Sequence, residues 1–163
     1  MDIIVDADGL RLAGLPLHPL LVHAVVVLTP LTALAVALAA VWPAARHRLG
    51  YAPAIAALIV AGLVPVTVIA GQDLAAAVGY TPAIRQHEAL ALMLIPWTVV
   101  LFLAAVAVIL GERMLPRLRR RRPTTARAAR ITVIVIALAA ATGTIVVTVL
   151  AGDAGARAVW GWV

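Results

Sequence analysis

Three histidines and four neighbouring polar side chains could bind a metal ion or a cofactor in this sequence. The histidines are His18, His23 and His87, and the side chains that could complete or orient a ligand set are Asp73, Asp153, Glu88 and Gln72. Imidazole nitrogens with a carboxylate suit Zn, Cu(II) or Fe, whereas Cu(I) prefers sulfur ligands. The chain has no cysteine, which excludes thiolate catalysis, iron–sulfur clusters and cysteine-rich zinc sites.

The elements that must position these side chains are membrane helices. Hydrophobic residues make up 64% of the 163-residue chain, charged residues only 12%, and the mean hydropathy is +1.09, far from the composition of a soluble domain. Four apolar segments, at about 18–41, 51–71, 82–111 and 131–151, are each long enough to cross roughly 30 Å of hydrocarbon. The sequence therefore predicts an all-α, four-helix transmembrane bundle over residues 18–151, running up-down-up-down. Thr81 and Pro82 are typical of an N-cap and a first helical turn.

The arginines predict the orientation of this bundle. All 13 basic residues are arginine, and ten of them lie at Arg46, at Arg48 or within the Arg-rich segment 112–130. By the positive-inside rule that segment is a cytoplasmic loop. The arm 1–17 and the tail 152–163 are then both extracytoplasmic. The arm lacks the basic region of a cleavable signal, and its pattern favours a short hairpin around residues 6–9 or an extended segment.

The polar side chains named above are predicted to share one layer beneath the outer surface. With about 1.5 Å of rise per residue, His18, Asp73, His87 and Asp153 lie roughly 16–18 Å from the centre of their spans. His23 is deeper, at about 10 Å from the centre by the same rise, and an ionisable side chain at that depth is a functional candidate. On an ideal helix, however, His18 and His23 point about 140° apart. A site in this layer would be reached from outside the cell.

Three kinds of function remain open for this layer. The first is a redox or metal-handling membrane subunit, holding either a divalent metal ion or a b-type haem whose iron His23 and His87 ligate from opposite sides. The second is a structural or assembly protein in which the layer is a hydrogen-bonded network. The third is an extracytoplasmic pH sensor based on the histidines.

Hydrolase and nucleic-acid functions are disfavoured. The chain contains no serine and neither a G-x-S-x-G nor an H-E-x-x-H motif, so an enzymatic role is not indicated beyond electron transfer. No aromatic residue interleaves the run Arg119–Arg122, and the run is therefore better explained by anionic lipid headgroups than by nucleic acid. Small residues in the second and fourth segments also permit close packing, within the chain or against a second copy.

The stretch Leu15 to His23, with its H-P-x-x-x-H pattern, resembles the entrance motif of a bacterial family of predicted membrane proteins, domain of unknown function 2231. The segment Thr67–Asp73, His87 and the tail Gly152–Trp160 are similar to its later landmarks, so the resemblance covers about residues 12–163. It implies four helices in the bacterial plasma membrane and no established activity. Relatives occur beside Rieske or c-type cytochrome modules, which implies a redox partner at the outer face. Ala24 and Asp153 depart from the family pattern, in which an aromatic residue and a histidine are expected.

Overall fold

The computed structural model describes the backbone of residues 3–6, 9–12 and 15–161, and the side chains of residues 16–114, 116 and 118–161. A small antiparallel sheet precedes the helices, with β1 (Ile3–Asp6) paired to β2 (Gly9–Leu12) and β2 paired to β3 (Leu15–Pro16). The hairpin predicted for the N-terminal arm is thus confirmed for its two strands. Residues 1–2, 7–8, 13–14 and 162–163, which include parts of the predicted arm and tail, lie outside the described residues.

Five helices follow, and within the described residues four of them are long and apolar enough to cross a membrane. Those four are α1 (Leu17–Val41), α3 (Ala52–Val78), α4 (Pro82–Arg121) and α5 (Pro123–Trp160), and α2 (Pro43–Leu49) is a short helix between the first two. The Thr81 hydroxyl accepts a hydrogen bond from the Ile84 amide at 3.2 Å, which confirms the predicted cap of α4. The helices α4 and α5 extend through the Arg-rich segment 112–130 and are interrupted only at Arg122.

The four long helices pack in the cyclic order α1, α3, α4, α5, with α1 and α4 facing each other across the diagonal. Their interior consists mainly of alanine, valine and threonine, while most leucines and isoleucines are exposed on the outer surface. This distribution is expected in a lipid bilayer. Large apolar side chains gain no hydrophobic free energy by leaving the lipid for the interior of the bundle, and small residues in the interior let the helix backbones approach closely. The exposed apolar surface of the bundle contacts the lipid bilayer.

Among the described residues, six buried threonines replace part of the apolar core, and three of them return their hydroxyl to their own helix. Thr98 and Thr148 donate to the carbonyls of Ile95 and Thr144, at 2.8 and 2.7 Å. This pattern satisfies the hydroxyl without a partner from another helix. Thr144 instead donates to the Trp97 carbonyl of α4 at 3.3 Å. Thr29 is fully buried, and its hydroxyl has no hydrogen-bond partner within the described part of the chain.

Replacing Thr29 with valine should therefore stabilise the protein. The substitution keeps the shape and removes an unpaired hydroxyl, so we expect the free energy of unfolding to rise by about 1 kcal/mol. The matched control is Thr98→Val, at an equally buried position, which removes a formed hydrogen bond and should lower that free energy by about 0.5 kcal/mol. Thermal unfolding in detergent measures both. Equal destabilisation by the two substitutions would show that the Thr29 hydroxyl has a partner.

Candidate functional site

Two of the predicted ligands, His18 and His87, meet at one end of the bundle. His18 lies in the first turn of α1 and His87 in the second turn of α4, on diagonally opposed helices. Their ring centroids are 6.1 Å apart and the ring planes are inclined by 77°. Both rings are partly buried, and both line one cavity of about 60 Å³.

Each ring is held by a backbone carbonyl of a neighbouring helix. The His18 Nδ1 lies 2.9 Å from the Thr67 carbonyl oxygen of α3, and the His87 Nδ1 lies 2.8 Å from the Ala151 carbonyl oxygen of α5. A carbonyl oxygen can only accept, so Nδ1 carries the proton in both rings. In a neutral imidazole the lone pair is then on Nε2, which is the nitrogen left free for a ligand.

A glycine lies beneath each histidine, four residues after the carbonyl to which that histidine donates. A Cβ at Gly71 would lie 2.8 Å from both Nδ1 and Cε1 of His18, and a Cβ at Gly155 would lie 3.0 Å from the same atoms of His87. In a helix, residue i+4 stands beside the carbonyl of residue i. A ring that bonds to that carbonyl must therefore pass over residue i+4, and glycine leaves the space for it.

Both halves of the bundle thus repeat one unit of histidine, carbonyl and glycine. The sequence carries a partial signal of it, because Thr67–Gly71 and Thr148–Gly152 share the pattern T-V-x-A-G. In α5 the glycine of this pattern, Gly152, has open space around it. The glycine that lies beneath the His87 ring is Gly155, one helical turn later. Composition and spacing indicated the histidines, whereas these two supporting glycines became evident only from the packing.

His23 does not line this cavity. Its side chain is exposed, and Nδ1 lies 2.6 Å from the Pro19 carbonyl oxygen one turn earlier in α1. Val22, Val25 and Val26 are the α1 residues that face the cavity below His18. This placement agrees with the wide angle between residues five apart on a helix. His18 and His87 are therefore the pair that the structure brings together, on a site that His23 does not reach.

The four other predicted site residues are distributed around the same end of the bundle. The Gln72 amide donates to Glu88 Oε1 at 2.8 Å and links α3 to α4, and Asp153 pairs with Arg157 one turn later in α5 at 2.9 Å. Asp73 is partly buried and makes no hydrogen bond or ion pair within the described residues. Over that part of the chain, no group of three or more His, Asp or Glu side chains could hold a metal ion.

The size of the cavity at the histidine pair suits one ion better than a porphyrin. At a metal–nitrogen distance of about 2.0–2.1 Å, two imidazoles on one ion have centroids roughly 5 Å apart in a tetrahedral arrangement and roughly 6 Å apart when they lie on opposite sides. The observed 6.1 Å lies at the upper end of this range, and opposed imidazoles on a haem iron would have the same separation. A cavity of about 60 Å³ accommodates the ion and a bound water, each water taking about 30 Å³. Haem-sized ligands occupy cavities of about 300 Å³ or more, so a haem between these rings does not fit the arrangement.

The comparisons with known proteins identify a family and no activity. A family described as "Predicted membrane protein (DUF2231)" matches residues 14–163, which include every residue of the site. No curated protein and no solved structure matches the chain.

Proposed function

The chain belongs to the DUF2231 family of predicted membrane proteins, and from this membership and the histidine pair we propose that it is a metal-handling protein of the bacterial plasma membrane. It binds one divalent transition-metal ion, such as Zn²⁺ or Cu²⁺, through Nε2 of His18 and Nε2 of His87. Water or a carboxylate completes the coordination, because two imidazoles alone leave positions open on such an ion.

The observation that carries this proposal is the carbonyl bond to Nδ1 of each ring. Metal-binding histidines almost always donate their other ring N–H to a carboxylate or carbonyl, which fixes the tautomer and the ring orientation. Here two helices supply the rings and two other helices supply the carbonyls, at 2.9 and 2.8 Å. All four helices thus contribute to positioning a single pair of nitrogens.

The arginine distribution supports placing this site on the extracytoplasmic side. The histidine pair lies at the end of the bundle remote from the Arg-rich segment 112–130, and clusters of arginine favour the cytoplasmic side. The four spans then run up-down-up-down with both termini outside. An ion reaches the site from the periplasm or the cell exterior, where a redox or metal-carrying partner would dock.

The orientation can be tested directly because the chain has no native cysteine. Ala156 and Arg121 are both exposed. Ala156 lies near the end of α5 and Arg121 at the end of α4, which are at opposite ends of the bundle. In intact cells, Ala156→Cys should react with a membrane-impermeant maleimide, whereas Arg121→Cys should react only after permeabilisation. The reverse labelling pattern would contradict the proposed orientation.

Titration of the purified protein with Zn²⁺ or Cu²⁺ tests the metal site. We expect one ion per chain, an unchanged stoichiometry in His23→Ala, and no Soret band in protein from haem-replete cells. A stoichiometric Soret band would show that the protein binds haem instead of an ion, and that the helices separate to admit the haem. Absence of binding for both ions would contradict the proposal.

A second candidate function is structural, and the same hydrogen bonds favour it. Each histidine links two helices through a carbonyl, and Gln72 with Glu88 adds a further link at the same end of the bundle. Such a network would hold the bundle ends together without any ion. It predicts loss of thermal stability on histidine substitution in metal-free protein.

A further inference from the structure

A second and larger cavity lies at the other end of the bundle, between α1, α2, α4 and α5. Its volume is about 880 Å³, within the range of cavities that bind small organic ligands. Five arginines line it: Arg46, Arg119, Arg120, Arg127 and Arg130. They come from three separate parts of the sequence, and the tertiary structure brings them to one cavity.

Most of this positive charge is not neutralised by the protein. Glu112 is the one carboxylate on the cavity wall among the described residues, and its Oε1 lies 3.0 Å from Nε of Arg46, with His47 at 3.9 Å from its other oxygen. The other four arginines of the cavity have no carboxylate within ion-pair distance in the described part of the chain. The cavity therefore presents an excess of about four guanidinium groups.

The remaining wall of the cavity is apolar. Ala40, Ala107, Val108, Val133 and Ile134 line it on the side that continues into the membrane-spanning parts of α1, α4 and α5. A ligand that satisfies both surfaces carries an anionic group at one end and hydrocarbon at the other. Guanidinium groups bind phosphate oxygens through paired hydrogen bonds, and basic cavities between membrane helices are suited to phospholipid headgroups.

We propose that this cavity binds the headgroup phosphate of an anionic phospholipid, with the acyl chains lying along the apolar wall. The arginines then select a lipid at a defined position, in addition to their general attraction to an anionic membrane surface. This site is independent of the histidine pair, because the two cavities share no residue.

The test compares two arginine pairs that change the net charge equally. In Arg120→Gln/Arg127→Gln both positions line the cavity, whereas in the control Arg121→Gln/Arg122→Gln both side chains are exposed and neither lines it. Native mass spectrometry of the full chain in neutral detergent measures retention of phosphatidylglycerol and of phosphatidylcholine. We expect the wild type to prefer phosphatidylglycerol at least tenfold, the cavity variant to lose this preference, and the control to stay within threefold of the wild type.

Three outcomes would overturn the proposal. Equal losses in both variants would show that total surface charge decides binding. Equal retention of the two lipids by the wild type would remove the selectivity. Displacement of phosphatidylglycerol by millimolar inorganic phosphate would assign the cavity to a soluble anion. If the first cavity variant does not fold, Arg119→Gln/Arg130→Gln changes the same cavity by the same charge and is compared with the same control.

Discussion

Substituting His18 or His87 with alanine is expected to lower the affinity for Zn²⁺ by at least about 100-fold, more than the usual effect of losing a supporting group around a metal. Each substitution removes one of only two imidazoles that the structure brings to the cavity, at a centroid separation of 6.1 Å. Competition with a chromophoric chelator measures the affinity in detergent. His23→Ala and His47→Ala are the matched controls, since neither side chain lines the cavity, and both should bind as the wild type does.

Asparagine at the same two positions separates the metal proposal from the structural one. The asparagine amide can occupy the place of the ring Nδ1–H and donate to the carbonyl of Thr67 or Ala151, but it has no counterpart of Nε2. We therefore expect His18→Asn and His87→Asn to lose Zn²⁺ binding while keeping most of the stability of the metal-free protein. Retained Zn²⁺ affinity in the asparagine variants would contradict ligation by Nε2. Unchanged stability of the alanine variants would contradict the structural role.

Gly71→Ala is expected to destabilise the protein by about 1–3 kcal/mol, which is the usual cost of overpacking a well-packed site. The added methyl group would lie 2.8 Å from two atoms of the His18 ring, so the ring must move away from the Thr67 carbonyl. Zn²⁺ affinity should therefore fall together with the melting temperature. A shift in Zn²⁺ affinity without a shift in stability would also indicate ring displacement, whereas no change in either would contradict the packing argument.

The control for this substitution lies in the same helix. A methyl group added at Gly62 of α3 would have nothing within 4 Å of it, and alanine is favoured over glycine inside a helix by about 1 kcal/mol. Gly62→Ala should consequently stabilise the protein slightly and leave Zn²⁺ binding unchanged. Gly155→Ala against Gly152→Ala repeats the comparison in α5, with a smaller expected effect because the contact to His87 is 3.0 Å.

The helical framework could be predicted from the sequence because its signals are local. Apolar length specifies a membrane span regardless of what it packs against, and Thr81 with Pro82 marks a helix start through its own backbone geometry. The ends of α4 and α5 were harder to predict. Arginines 119–122 indicate that the chain has left the hydrocarbon, yet arginine is a good helix former. As a result α4 extends through these arginines to Arg121, and α5 begins directly afterwards at Pro123.

The sequence by itself determined the membrane class, four apolar spans and the presence of histidines at one end, and it left the N-terminal arm open between a hairpin and an extended segment. Only the tertiary structure decided which histidines meet, because this depends on the rotation of each helix about its axis. The helices are apolar on nearly every side, and lipid and core are alike in polarity, so no amphipathic stripe specifies that rotation. Small residues and close contacts specify it instead. The packing turns His18 and His87 toward one cavity, leaves His23 exposed, and gathers five arginines around another.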